Sequence, residues 1–128
     1  MPNLDRPLSP HLLIYKPQLT SILSITHRFT GVGLALGSIL VAGWLFAALA
    51  GVHAFSLTVI FRENILGQIM LFCWLFAFLY HLLNGIRHLK WDAGYGLSLP
   101  SVYRSGYVVI IGAVVLSVLI WTKTGVSP

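Results

Sequence analysis

Charged residues divide this chain into three long apolar runs. Lys, Arg, Asp and Glu are absent from Phe29 to Phe61, from Asn64 to Ile86 and from Ser105 to Thr122. A helix needs roughly 20 residues, at about 1.5 Å each, to cross a hydrocarbon core of about 30 Å, so each run predicts one transmembrane helix. The first run is longer than a crossing requires and holds a turn-prone stretch at Gly51, His53 and Ser56, so its helix is expected to end near Val52. The third has 18 residues between Arg104 and Lys123, whose stems can lie along the apolar boundary while their charges reach the interface. The expected architecture is all-α: a single integral-membrane domain of three helices, at about 20–52, 64–90 and 104–123, behind a cytoplasmic arm over 1–19.

Composition supports that reading. With 57% hydrophobic and 9% charged residues, the chain lies outside the mix of a soluble domain. Three helices in 128 residues cannot enclose a large private core, so lipid and partner subunits must cover much of the apolar surface. Gly33 with Gly37, and Gly43 with Ala47, offer small-residue pairs where another helix can approach. The lone Cys73 reads as a small core residue. No phosphate loop or nucleotide-binding pattern occurs, so flavin or iron–sulfur chemistry must sit on other chains.

The net charge of +5 does not indicate nucleic acid, because the basic residues are scattered around the apolar runs rather than striped along a face. They order the topology instead. Arg6, Lys16, Arg28, Arg87, Lys90 and Arg104 fall on one side and only Arg62 and Lys123 on the other, and six against two predicts a cytoplasmic N-terminus. Trp91, Tyr95 and Tyr103 on the first side and Trp121 on the second fit interfacial belts. The opening residues show neither a signal-peptide nor a transit-peptide pattern, so insertion is expected to rely on the helices, which favours a bacterial inner membrane over a mitochondrial one.

Polar side chains inside the apolar runs are the candidates for chemistry. On the second helix His81, Gly85, His88 and Asp92 share one face. His81 lies six residues before Arg87, about 9 Å deeper. A neutral imidazole there can ligate iron through one ring nitrogen while the other is held by a hydrogen bond. Gly85 leaves room for a flat macrocycle, and Arg87 and His88 can meet two propionates. The competing reading of His81 is a hydrogen bond to a neighbouring helix; Gly85, Arg87 and His88 in register favour haem. His27 at the mouth, His53 at the far end and His11 in the arm are poorly placed to give a second axial ligand, so that ligand is expected from another chain. Asp92 is expected to pair with His88 or Lys90.

On the first helix Ser21, Ser24 and Arg28 share a face at spacings of three and four. Hydroxyls and a guanidinium converging at the membrane surface can hold a quinone carbonyl and stabilise charge as it is reduced. The competing reading makes the serines helix-terminal hydrogen-bonders and Arg28 a topology signal. His27, beside Arg28, suits a propionate or a quinone.

These two clusters resemble the cytochrome b556 subunits of succinate dehydrogenase, the membrane anchors of respiratory complex II. The resemblance rests on Arg6-Pro7-Leu8-Ser9-Pro10-His11, Ile14-Tyr15, Ser21, Ser24, His27-Arg28 and Thr30-Gly31, and on His81-x-x-x-Gly85-x-Arg87-His88 followed by Asp92-x-Gly94. It implies that His81 is one axial ligand of a haem b shared with a second anchor subunit, with His27, Arg28, Gly85, Arg87 and His88 around the macrocycle and its propionates. It also implies that Ser24 and Arg28, with Ser21 and Ile25, border a ubiquinone site completed by the second anchor and the iron–sulfur subunit. Electrons would arrive from succinate oxidised on a flavoprotein subunit; the chain would bind and anchor rather than catalyse alone. A haem-free structural anchor and a subunit of a proton or ion transporter remain the alternatives.

Overall fold

A computed structural model describes residues 16–51, 56, 59, 60 and 62–124. The arm before Lys16, with Arg6 and His11, and the turn at His53 lie outside the described residues. Three helices follow in order: α1 over Leu19–Ala50, α2 over Ile65–Asp92 and α3 over Leu99–Lys123. All three are long and apolar enough to cross a membrane. Among the described residues there is no strand.

The ends follow from local chemistry. Asn64 caps α2, its side chain accepting from Leu66 N–H at 2.9 Å, which satisfies one of the donors that a helix start leaves without a partner. At the other end of α2, Tyr95 N–H reaches back to Lys90 O at 3.0 Å and Gly94 N–H to Trp91 O at 2.8 Å. Gly94 sits at φ +84, the left-handed conformation that this closing motif requires. The chain then turns through 93–98 and α3 opens at Leu99 with Pro100 in its first turn, where a missing N–H costs nothing. The third helix therefore begins five residues before the position expected near 104. Arg104 marks where charge returns, not where the helix starts, and the helix runs on past the apolar boundary.

The bundle closes on the inner face of α3, where Gly106, Val109, Ala113 and Ser117 are buried at helical spacing. They meet Leu23 of α1 and Tyr80 of α2, with Leu19, Phe76, Leu83 and Ile110 packed around them. A Cβ added to Gly106 would lie 2.9 Å from Leu23 and 3.2 Å from Leu19, so the side chains of α1 pack directly against the α3 backbone there. Phe72 and Trp121 pack edge to face at 5.4 Å and join α2 to α3 towards the other end. Along α1 from Val41 to Ala50 nearly every residue is exposed, a surface suited to lipid or another apolar chain.

Gly31 and Gly37 each receive a ring from α2, whereas Gly33 and Gly43 have nothing within contact range among the described residues. The α2-facing stripe of α1 runs through His27, Gly31 and Gly37, so Gly33 and Gly43 lie on a side of α1 that this chain's own helices leave open. One packing expectation changes. Cys73 lies exposed on the outer side rather than in the core.

Candidate functional site

Helix α2 presents His81 to the backbone of α1. Its Nδ1 lies 3.1 Å from the carbonyl oxygen of His27 and 3.2 Å from Thr30 Oγ1. A carbonyl only accepts, so Nδ1 carries the proton and donates, leaving a lone pair on Nε2. Thr30 spends its own hydrogen on the carbonyls of Thr26 and His27, at 3.0 and 2.9 Å, which leaves its oxygen free to accept from His81. The ring lies flat against α1 because residue 31 is glycine: a Cβ there would stand 2.9 Å from His81 Cε1.

A second imidazole covers this one. The His27 ring stacks on His81 with centroids 3.8 Å apart and planes 11° from parallel. His88 completes a row, 5.3 Å from His27 and edge-on to Trp91 at 5.2 Å. His27 was expected at the mouth, clear of the level of His81. It sits beside that residue because of the register between the two helices, in which His81 and Tyr80 of α2 bond the His27 and Leu23 carbonyls of α1. Stacked rings cannot oppose each other across a metal, so His27 is not a second axial ligand despite its proximity. Its Nδ1 is buried with no hydrogen-bond partner.

A groove runs between α1 and α2 past these rings. At the polar end a hollow of about 390 Å³ is bounded by His27, His81, Gly85 and His88. At the apolar end a hollow of about 360 Å³ is bounded by Leu34, Trp74, Phe78 and His81. His81 and Leu82 border both. The indole of Trp74 lies over Gly37, where any Cβ would collide with it. Gly85 faces the His27 ring, and a Cβ there would make only ordinary contact at 3.8 Å; the missing side chain opens the groove rather than relieving a clash. A flat, mostly apolar ligand with anionic groups at the His88 end fits this shape and this donor set.

Arg87 does not join them. Expected beside His88 at the groove, it is only 4% exposed and points between α2 and α3. Its Nε donates to Ser105 Oγ at 3.0 Å, Nη1 to Asn84 Oδ1 at 3.3 Å and Nη2 to Val102 O at 3.1 Å, and its guanidinium lies 4.0 Å over the Trp91 ring. Two of the acceptors this guanidinium uses, Ser105 and Val102, are on α3, so Arg87 turns to that side and away from the groove that His88 borders. Asp92 forms no ion pair with His88 or Lys90; His88 instead meets Asn84 and Trp91.

Ser21, Ser24 and Arg28 fall within one unbroken helix, α1, and so share a side of it. Ser24 is half-buried, and Ser21, Ile25 and Arg28 are exposed. His27, next to Arg28 on α1, borders the groove itself.

Sequence reasoning passed over the residues that set His81. Thr30 and Gly31 belong only to the quoted motif, and Tyr80 and Asn84 have no role in the spacing argument. Tyr80 Oη donates to Leu23 O at 2.8 Å, and Asn84, fully buried, spans from Leu23 O to His88. Asn84 was detectable as an amide inside an apolar run, a position where polar groups are costly. Thr30 was not, since a helical threonine ordinarily bonds its own helix.

Comparison with known proteins accords with this geometry. The succinate dehydrogenase/fumarate reductase transmembrane subunit family matches residues 2–120. The chain is 44% identical over 116 residues to the succinate dehydrogenase cytochrome b556 subunit of Rickettsia conorii, covering 91% of this chain and 90% of that one. It is 44% identical over 115 residues to the protein of that name from Paracoccus denitrificans, covering 90% and 88%. It is 41% identical over 125 residues to the succinate dehydrogenase cytochrome b560 subunit of Reclinomonas americana, covering 93% and 86%. A three-helix membrane bundle with this likeness along nearly its whole length belongs to the succinate dehydrogenase/fumarate reductase transmembrane subunit family, the non-catalytic membrane part of an oxidoreductase.

Proposed function

We propose that this chain holds one face of a haem b and one side of a ubiquinone site in the membrane arm of a succinate:quinone oxidoreductase. The observation that carries the haem reading is the hydrogen bond from His81 Nδ1 to the His27 carbonyl. Histidines that bind metals nearly always donate their other ring N–H to such an acceptor, which fixes the tautomer and raises the basicity of the ligating nitrogen. The relatives' name, cytochrome b556, agrees with a haem at this position.

His81 Nε2 would be one axial ligand. The groove from Trp74 to Gly85 would take the macrocycle, and the rings of His27 and His88, which border its polar end, would face its propionates. A bound haem supplies a one-electron carrier whose potential its ligands and surroundings set. The second ligand would come from a second anchor subunit closing the open side of the groove, because no other imidazole among the described residues opposes His81.

Ser24 and Arg28, flanked by Ser21 and Ile25, would line the quinone pocket on the neighbouring face of α1. Reduction of a quinone takes up two electrons and two protons, so a site near the membrane surface suits it: lipid dissolves the tail and water supplies the protons. Electrons would come from succinate oxidised on a flavoprotein subunit and pass through an iron–sulfur subunit docked at the end bearing Arg28 and Lys90. That end would face the cytoplasm of a bacterium, following the excess of basic residues there.

The test is a reduced-minus-oxidised spectrum of the affinity-purified membrane complex from wild type and His81→Ala. A b-type spectrum that is lost or altered in the variant, with all subunits still present, supports the reading. A wild-type complex without haem, or an unaltered spectrum in His81→Ala, overturns it.

A further inference from the structure

Arg87 is a cation that neither the haem reading nor the quinone reading uses. It lies within a membrane helix, 4% exposed, and every partner it has among the described residues is neutral: a hydroxyl, an amide oxygen, a backbone carbonyl and an indole face. The chain has three acidic residues, Asp5, Glu63 and Asp92. Asp5 lies outside the described residues, Glu63 stands before the opposite end of α2, Asp92 is exposed, and neither of the latter two pairs with Arg87. A guanidinium stays charged in a protein, so a permanent positive charge is held buried and, among the described residues, without a counter-ion.

That charge lies one amide away from the candidate site. Asn84 accepts from Arg87 through Oδ1, and its Nδ2 reaches Leu23 O at 3.4 Å and His88 Nε2 at 3.5 Å. The guanidinium thus also fixes which way the amide points. Buried charges are screened far less than exposed ones, and a cation near a redox centre favours the form carrying the extra electron.

We infer that Arg87, through its buried and unneutralised charge, raises the reduction potential of the group bound at His81. It touches neither that group nor its ligand, and acts on the haem reading advanced above as a positioning and electrostatic residue. At a separation on the order of 10 Å and an effective dielectric near 20, one charge shifts the reduction equilibrium roughly tenfold, which for a one-electron couple is about 59 mV.

The experiment is a spectroelectrochemical titration of the haem absorbance in the purified complex, comparing wild type with Arg87→Lys, Arg87→Gln and Ser105→Asp. Arg87→Gln removes the charge. Ser105→Asp keeps the arginine and sets a carboxylate beside its Nε, so it serves even if Arg87→Gln fails to accumulate. The expected result is a potential lowered by roughly a tenfold change in equilibrium constant in both, and close to wild type in Arg87→Lys. Unchanged potentials, or a fall in Arg87→Gln with none in Ser105→Asp, overturn the inference while leaving the haem reading intact. Failure of both to assemble makes Arg87 a bolt between α2 and α3 and likewise overturns it. A wild-type complex without haem, or an unaltered spectrum in His81→Ala, sinks the haem reading itself.

Discussion

The carbonyl of His27 accepts from Nδ1 of His81 at 3.1 Å while the His27 ring stacks on the same imidazole at 3.8 Å. One residue of α1 therefore sets both the tautomer and the plane of the side chain that α2 presents. One turn earlier the Leu23 carbonyl accepts from Tyr80 and Asn84. Two backbone carbonyls on successive turns of α1 thus receive three side chains of α2, and this clamp adds to apolar packing in fixing the register of the two helices. Hydrogen bonds across helices matter here because lipid offers no hydrophobic drive to bring them together.

The first prediction concerns Gly31. Gly31→Ala places a methyl 2.9 Å from His81 Cε1, and both the ring and the α1 backbone are held, so the imidazole must move off the His27 carbonyl. Gly33→Ala, with nothing within 4 Å, gains helix propensity of up to about 1 kcal/mol at no steric cost. Haem spectra of the two purified complexes should therefore diverge, altered in Gly31→Ala and unchanged in Gly33→Ala. Identical spectra would show that the close approach does not orient His81.

Asn84 should matter more to stability than Tyr80. Tyr80→Phe removes one interhelical hydrogen bond, worth about 0.6 kcal/mol on average within a membrane. Asn84→Ala also strips an acceptor from the buried Arg87, which costs about 1–3 kcal/mol for the donor left unmet. The temperature at which this subunit leaves the complex, followed on native gels, should fall further in Asn84→Ala. The two losses should also fail to add, since both side chains serve the Leu23 carbonyl.

Gly106 supplies a test of the bundle that is independent of any ligand. A Cβ at this position meets the ends of Leu23 and Leu19, at 2.9 and 3.2 Å, and comes 3.7 Å from Arg87 Nη2. Leucine termini can shift by a few tenths of an ångström, so Gly106→Ala should be tolerated with a loss of about 1 kcal/mol or less. Gly106→Val adds two stiff branches facing the guanidinium and should lower the amount of assembled complex several-fold. Equal yields for the two variants would mean that α3 is not held against α1 at this position.

The helices were legible because lipid imposes a simple rule: runs without charge, about 20 residues long, must be helical and must span. Their ends were less so. Arg104 suggests a boundary, but charge marks the interface, and the backbone signals that begin α3, Ser98 and Pro100, lie before it. In the site, the shared face of His81, Gly85 and His88 followed from helical spacing within one element. The burial of Arg87 did not, because it depends on acceptors from α3. Nor did the stacking of His27 on His81, which depends on how far α1 slides along α2. Spacing within a helix is written in the sequence; register between helices comes from contacts such as Tyr80 to Leu23, which no local pattern marks.

The quinone reading yields the last prediction. Ser24 and Arg28 are four residues apart on α1, so their side chains stand one above the other. Neither has a hydrogen-bond partner among the described residues, so both are available to an oxygen bound between them. Ser24→Ala removes one donor, and Arg28→Ala removes a charge-assisted one worth about 1.5–3 kcal/mol, or roughly 10- to 100-fold in rate. Succinate:quinone reductase activity should fall by that order in Arg28→Ala and by less in Ser24→Ala, with Arg28→Lys retaining part because it keeps the charge without the planar fork. Electron transfer from succinate to a soluble artificial acceptor, which leaves the flavoprotein and iron–sulfur subunits without entering the membrane site, should be unchanged in all three. Equal losses in both assays would trace the defect to assembly, and remove Ser24 and Arg28 from the quinone pocket.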